Sequence, residues 1–184
     1  MKKTLQKLID IGNRLFGTRF QELIWSVRRY DGDLYHPHRN KLVSIIDLYK
    51  PESILEIGCG DKCNLELLTN RFPKADIRGT DLPTKAWKQP FGDKSFDVVF
   101  TDACLIYIAP DRIEETINEM KRIAKNAIIM VEQQEVGGEE RSINGCWVRD
   151  YGKYFKECKI AKIPKEIWST GNWGKYGYFI VAKP

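Results

Sequence analysis

Residues 53–68, SILEIGCGDKCNLELL, constrain the fold more than any other stretch of this chain. An apolar run carrying one acid, Glu56, enters a turn with Gly58 and Gly60 and leaves into a segment with leucines at helical spacing. Strand, glycine turn and helix in that order put a loop at the carboxyl end of a strand, where open α/β sheets bind ligands. Glycine at 58 and 60 permits backbone torsions and close approach that a Cβ obstructs. The dinucleotide fingerprint G-x-G-x-x-G requires glycine where Cys63 stands, and no G-K-[ST] follows to make a phosphate loop. The pattern that fits is E-x-G-x-G. Its acid repels a pyrophosphate and suits a cationic ligand, met directly or through a water.

The rest of the chain alternates between the two periods. A helix-spaced run (Leu42, Ile45, Ile46, Tyr49) is stopped by Pro51. Then come strand-like SILEIG, helix-like NLELLTNRF, strand-like DIRGTDL, the buried strand FDVVFTDA, the helix PDRIEETINEMKRIAK with Asp111 near its start, and the strand AIIMVEQQ. GGEERSINGC reads as a polar loop, followed by a short helix around Arg149 to Phe155. KIAKIP and YGYFIVAK close the chain as two strands flanking IWSTGNWGK, and with no helix between them they should pair antiparallel. The alternation predicts an α/β fold with a mainly parallel sheet.

At 184 residues the chain is one domain by length. We divide it into a basic helical extension or cap over 1–50, a ligand-binding half over 51–134 and a substrate-side half over 135–184. No run approaches the ~18 apolar residues of a membrane span, and charges interrupt the N-terminus too often for a signal peptide. The five cysteines, Cys59, Cys63, Cys104, Cys146 and Cys158, form no C-x-x-C pair. Neither a disulfide framework nor a metal site is expected, and a reduced, cytoplasmic protein is the plain reading. The net charge of +5 is uneven: residues 1–50 hold ten Lys/Arg and five Asp/Glu, residues 51–184 twenty of each. The first segment also has helical apolar spacing (Leu5, Leu8, Ile9, Leu15, Phe16, then Phe20, Leu23, Ile24, Val27). Such a segment packs on the core with a solvated lysine face, or touches a membrane surface, a nucleic acid or an acidic substrate.

Three blocks in order, LEIGCG, GTDL and QPFGDKSFDVVFTDACLIYI, resemble the class I S-adenosylmethionine-dependent methyltransferases, in the subgroup whose third block runs L-P-F-x-D-x-S-F-D-x-V. The resemblance covers residues 52 to about 134. It implies a Rossmann-like three-layer methyltransferase fold with one antiparallel C-terminal strand, and S-adenosylmethionine as cofactor. Carried over residue by residue, Glu56, Gly58, Cys59 and Gly60 line the methionine half, Asp81 takes the ribose hydroxyls, and Leu82 and Asp102 complete the cofactor set. Two departures stand out. Lys62 occupies the usual place of the third glycine, acceptable if its backbone is ordinary. Only fourteen residues, LPTKAWKQPFGDKS, separate Asp81 from Phe96, too few for the family's usual helix, strand and loop. One edge strand should therefore be missing, leaving six, with DIRGTDL at the edge and Trp87 folded back over either that edge or the adenine. A bare edge invites a homodimer as the alternative to a monomer.

Methyl transfer is an in-line displacement in which the protein aligns the acceptor and, for a hydroxyl, takes its proton. Catalytic candidates lie at strand ends: Asp102 and Tyr107 after FDVVFT, Glu132 or Gln133 after AIIMV. The histidines, His36 and His38, precede the first core helix. His36 is the candidate base, with Arg28, Arg29 or Arg39 holding a carboxylate, against a plainer reading as surface residues of a helix-entry loop. The base-methylating signature [DN]-P-P-[YFW] is absent. A small-molecule or glycan acceptor is favoured; an RNA or protein acceptor steered by the basic N-terminus, and a non-catalytic cofactor binder, are the alternatives.

Overall fold

The computed structural model describes residues 2–27 and 33–184; Arg28 and Arg29 lie outside the described residues. Four parallel strands, β1 (Ser53–Ile57), β2 (Asp76–Thr80), β3 (Phe96–Asp102) and β4 (Ala124–Gln133), form most of the sheet. The sheet is completed by β7 (Cys158–Lys162) and β8 (Gly177–Ala182), in the order β2–β1–β3–β4–β8–β7. Because β8 is antiparallel to both β4 and β7, it alone runs against the rest. The six-stranded architecture and the antiparallel C-terminal pair are as expected. β2 is an edge strand, and among the described residues no strand lies outside it.

Side chains alternate across the sheet with period two. Ile54, Val98, Phe100 and Ile129 face α3 (Pro37–Asp47) and α4 (Cys63–Arg71), meeting Leu42, Ile46 and Leu68. Leu55, Val99 and Ile128 face α5 (Ile113–Ile123), meeting Ile113, Ile117 and Met120. The crossing from β2 to β3 lies on the α5 side. Ala86 is buried in that core, and Trp87 and Phe91 pack against it. Thr80 Oγ1 donates to Gln89 Oε1 (2.9 Å), and the Gln89 amide donates to Glu119 (2.7 Å). The loop thereby fills the layer a helix would occupy. Trp87 is half-buried between Lys85 and Arg112, whose charges lie 5.8 and 5.4 Å from its ring.

Three expectations are corrected. The polar loop GGEERSINGC contains a hairpin, β5 (Arg141–Ile143) and β6 (Cys146–Val148). Asn144 and Gly145 turn it, both at positive φ, the Asn-Gly signal of a two-residue hairpin turn. The second half of IWSTGNWGK folds into a helix, α6 (Gly171–Tyr176). Asp111 serves not α5 but the second N-terminal helix. Of the two, α1 (Lys2–Phe16) and α2 (Thr18–Val27), the latter begins with Thr18 donating its amide and hydroxyl to Asp111 Oδ1 (3.2 and 2.8 Å).

Lys62 does not have ordinary backbone. It precedes α4 at φ +67, the left-handed region where a Cβ crowds the following carbonyl, and its exposed side chain makes no capping bond. Lys62→Gly should therefore raise stability by about 1 kcal/mol, a Tm increase of roughly 2–4 °C for a chain of this size. Scanning calorimetry measures it; a lowered Tm would mean that the lysine contributes contacts outweighing its strain.

Candidate functional site

Period-two alternation puts Glu56 on β1 and Asp102 at the end of β3 on the face covered by α3 and α4. Those helices answer with polar groups at their N-terminal ends. Asp102 Oδ2 accepts from His38 Nε2 (2.8 Å), Asn64 Nδ2 (3.0 Å) and Arg39 (3.4 Å). Asn64 also donates to Glu56 Oε1 (2.7 Å) and accepts from Arg39 (2.8 Å). Every member of this knot is buried. The two carboxyls are nonetheless unlike. Burial, only partly offset by the Asn64 bond, pushes Glu56 up to about 8. Burial also lifts Asp102, but the bond and charge of His38, then Asn64 and Arg39, outweigh it and hold Asp102 below its ordinary value. Near neutral pH one negative charge resides in the knot, on Asp102. Among the described residues, none is a hydrogen-bond partner of Glu56 Oε2, which is buried.

His36 and His38 are set by the start of α3. His36 is its N-cap, accepting weakly from the His38 amide (3.4 Å), with Pro37 next. The two Nδ1 atoms are 2.6 Å apart, so one of them carries the shared proton. Burial and the neighbouring His38 hold the His36 imidazole below its ordinary value. Trp168 stacks on His38 (centroids 4.7 Å apart) and on Trp173 (4.5 Å), and contacts His36. Of the two histidines, His38 lines the cavity below, and His36 stands behind it, half-buried.

The glycine loop forms the other wall. Gly58 and Gly60 both have positive φ, and a Cβ at Gly58 would lie 2.5 Å from Cys104 Sγ, so no larger residue fits. The amides of Gly58 and Cys59 both donate to the Thr80 carbonyl, tying the loop to β2. Asp81 accepts from the amides of Gly60 (3.0 Å) and Leu82 (2.8 Å), leaving lone pairs on both oxygens toward solvent. Between these walls lies a cavity of about 530 Å³. It is lined by Glu56, Gly58, Cys59, Gly60, Asp81, Leu82 and Asp102 together with Tyr107, Trp25, Trp87, Trp168 and Trp173. The structure thus gathers all seven residues expected around a cofactor, and Tyr107, into one cavity; His36 is outside its lining. The lining includes five acids (Glu22, Glu56, Asp61, Asp81, Asp102) and two basic residues, Arg39 and Lys85, each already paired with one of those acids.

Glu132 and Gln133 do not reach it. The Glu132 carboxylate instead accepts the amides of Cys104, Leu105 and Ile106 at 3.0–3.1 Å, closing the 3₁₀ turn Leu105–Tyr107. Burial, opposed by those bonds, raises it to about 7. From the other end Arg149, fully buried, donates to the carbonyls of Leu105 (2.9 Å) and Ile108 (2.5 Å). The turn carrying Tyr107 is clamped between these two charges, and Tyr107 packs on Trp25 of α2 (centroids 4.6 Å apart). Asn64 and Trp25 are among the lining residues that sequence reasoning missed. Asn64 had a signal: it is polar on the buried side of a helix whose neighbours there are leucines.

No protein-family model matches the chain. A stretch of 41 residues is 44% identical to trans-aconitate 2-methyltransferase of Pseudomonas paraeruginosa, covering 22% of this chain and 15% of that protein. Among solved structures, a proposed O-methyltransferase of Nostoc punctiforme superimposes with a TM-score of 0.63 at 12% identity, over 91% of this chain and 59% of that one. Human N-acetylserotonin methyltransferase, solved with S-adenosylmethionine, gives 0.57 at 13% identity, over 94% and 56%. The 1,6-didemethyltoxoflavin-N1-methyltransferase of Burkholderia thailandensis gives 0.56 at 10%, over 80% and 78%. The chain spans little more than half the length of the first two structures. At these identities the likeness is one of architecture: the chain has the Rossmann-like methyltransferase fold.

Proposed function

We propose that this chain is an S-adenosylmethionine-dependent methyltransferase acting on a small-molecule or glycan acceptor. The observation that carries the reading is the cavity, which joins a glycine loop flanked by Glu56 and Asp81 to an ionised Asp102 under a stacked tryptophan pair. Its volume is that of a small-molecule site. Its acidic lining favours a small acceptor over RNA, because a polyanion is repelled and Arg39 and Lys85 of the lining are already paired.

The residues present fit the cofactor. Glu56, with one oxygen unpartnered, is placed for the α-ammonium; Gly58 and Gly60 admit close backbone approach; Asp81 has lone pairs left for the ribose hydroxyls; Leu82 offers an apolar surface. When bound, the cofactor supplies a sulfonium methyl that a nucleophile can displace. The chain's own residues do the rest. Trp173, stacked on Trp168, offers its outer face to an aromatic or sugar ring. All bonds that the described residues make to Asp102 fall on Oδ2, which leaves Oδ1 to accept from an acceptor hydroxyl and orient it. As that oxygen is alkylated its proton becomes strongly acidic and passes to Asp102 Oδ1.

The decisive experiment is calorimetry with S-adenosylhomocysteine followed by a methyl-donor turnover screen across metabolite, glycan and RNA pools. Binding without turnover on any pool would favour a non-catalytic binder, and turnover on RNA would refute the small-acceptor reading. In the same assay Asp81→Ala should weaken binding by about 1.5–3 kcal/mol, roughly 10- to 100-fold. An unchanged Kd in the folded variant removes Asp81 from the site.

Glu56 makes binding depend on pH. The free carboxyl is mostly protonated below about 8, and a cationic ligand needs the carboxylate, so binding releases the proton. Affinity should therefore fall as pH drops, by about fivefold from pH 8 to 7 and about tenfold from 7 to 6, levelling off above 8. Glu56→Gln should flatten the profile; a flat profile in the unsubstituted protein would mean that Glu56 does not hold the ammonium.

Once an acceptor is identified, Asp102→Asn should lower kcat by about 10²-fold or more while S-adenosylhomocysteine affinity changes little. Equal losses in both would assign Asp102 to cofactor binding instead.

A further inference from the structure

The first helix is attached to the body the wrong way round for an ordinary amphipathic helix. α1 docks through polar side chains. Asp10 Oδ1 accepts from Ser142 Oγ (2.6 Å) and the Gly145 amide (2.8 Å), and Asn13, 1% exposed, donates to Ser142 Oγ (3.0 Å). Gln6 reaches the Asn144 carbonyl (3.3 Å), and Gln21 of α2 joins Asn13 to the Gly145 carbonyl. Apart from Ile9, which lies over Gly145, and Gly12, which is buried beneath Phe20 of α2, the apolar face points outward. Leu5, Leu8, Ile11, Leu15 and Phe16 are each between 51% and 69% exposed, and Leu23 of α2 is 66% exposed. At 3.6 residues per turn the five α1 side chains share an arc of about 140° on a helix roughly 22 Å long. An exposed apolar face of this extent is a docking surface rather than scattered surface hydrophobics.

Charge selects the occupant. Lys7, Arg14 and Arg19 are exposed, whereas the acids of these helices are engaged inward, Asp10 by the hairpin and Glu22 by Lys85. The excess positive charge of the chain lies in residues 1–50, ten basic against five acidic residues. A second copy would bring two cationic faces together without spare carboxylates on α1 or α2 to offset them. An anionic bilayer meets both halves of the surface, leucines entering the acyl boundary and cations meeting headgroup phosphates. We propose that the outer face of α1, extended by Phe16 and Leu23, binds an anionic membrane surface with the helix lying in its plane. Thr18, Gln21 and Trp25 of α2 line the cavity, so the docked molecule carries its cavity close to the bilayer.

The test is co-sedimentation of the full chain with vesicles of phosphatidylcholine alone and with about one third phosphatidylglycerol, beside analytical ultracentrifugation without lipid. The expected result is at least tenfold stronger partition onto the anionic vesicles, lost at about 0.5 M salt where charges are screened. Leu8→Glu/Leu15→Glu should abolish it, and Lys7→Glu/Arg14→Glu/Arg19→Glu should reduce it at least tenfold. Both sets sit on exposed positions, and circular dichroism with an unchanged Tm establishes that the variants fold. Absence of binding to anionic vesicles overturns the proposal, as does binding that both variants retain. A dimer in the ultracentrifuge that Leu8→Glu/Leu15→Glu dissociates, without vesicle binding, overturns it in favour of a second copy.

Discussion

A buried carboxylate with three partners organises the site. Asp102 ends β3 on the α3/α4 face with its side chain 6% exposed at the cavity wall, and a lone charge there would be costly to keep. His38 and Arg39 from α3 and Asn64 from α4 make it stable, and so the start of each helix is positioned by the acid. Removing one partner leaves the others' polar groups stranded, which costs more than the bond itself contributed. The loop between Gly58 and Asn64 is thereby stretched between the end of β1 and a helix start that cannot drift. Its left-handed residue, Lys62, is tolerated because both ends of the turn are held.

The same logic covers the turn after β3. Three amides converge on Glu132, and two carbonyls on Arg149, so the Leu105–Tyr107 turn sits between an acid and a base drawn from β4 and from the residue just after β6. Cys104 is pressed against Gly58 by this clamp, and the glycine loop, the turn and the hairpin form one connected unit. On the α5 face the crossing from β2 to β3 supplies Ala86, Trp87 and Phe91, and Gln89 ties it to edge strand β2.

How far these features were legible depended on whether they are local. Strand and helix identity through residues 53–133 followed from periodicity, and the edge position of DIRGTDL from the family resemblance together with the shortness of the segment before Phe96. Glu56, Asp81 and Asp102 were legible because strand ends and glycine turns are written in short segments. The hairpin was missed although Asn144-Gly145 announced it, since its strands are only three residues each, too short to show alternation. The roles of Glu132 and Arg149 are not local at all. A residue after a parallel strand is as well placed to cap a neighbouring turn as to face a ligand, and the choice depends on a chain segment 27 residues away. His36 and His38 illustrate the limit at its sharpest: two positions apart, one caps a helix and one meets the acid, and only the path of the loop decides which.

The knot also links its two carboxyls. Glu56 and Asp102 share Asn64, and the charge on Asp102 is one of the causes that keep Glu56 protonated. Electrostatic coupling is reciprocal: whatever ionises Glu56 raises the proton affinity of Asp102 by the same free energy. Under the proposed function, a ligand ammonium at Glu56 draws off its proton and leaves the carboxylate neutralised by that ammonium, so little net field reaches Asp102. A ligand lacking the ammonium leaves Glu56 neutral and Asp102 equally unperturbed. The burial of Glu56 therefore acts as a filter on the ligand's charge and leaves the acidity of Asp102 to its own partners. The acid that would meet the acceptor is tuned by His38, Asn64 and Arg39, while the acid that would meet the cofactor is tuned by burial, and the two adjustments stay separable although the groups are joined through one asparagine.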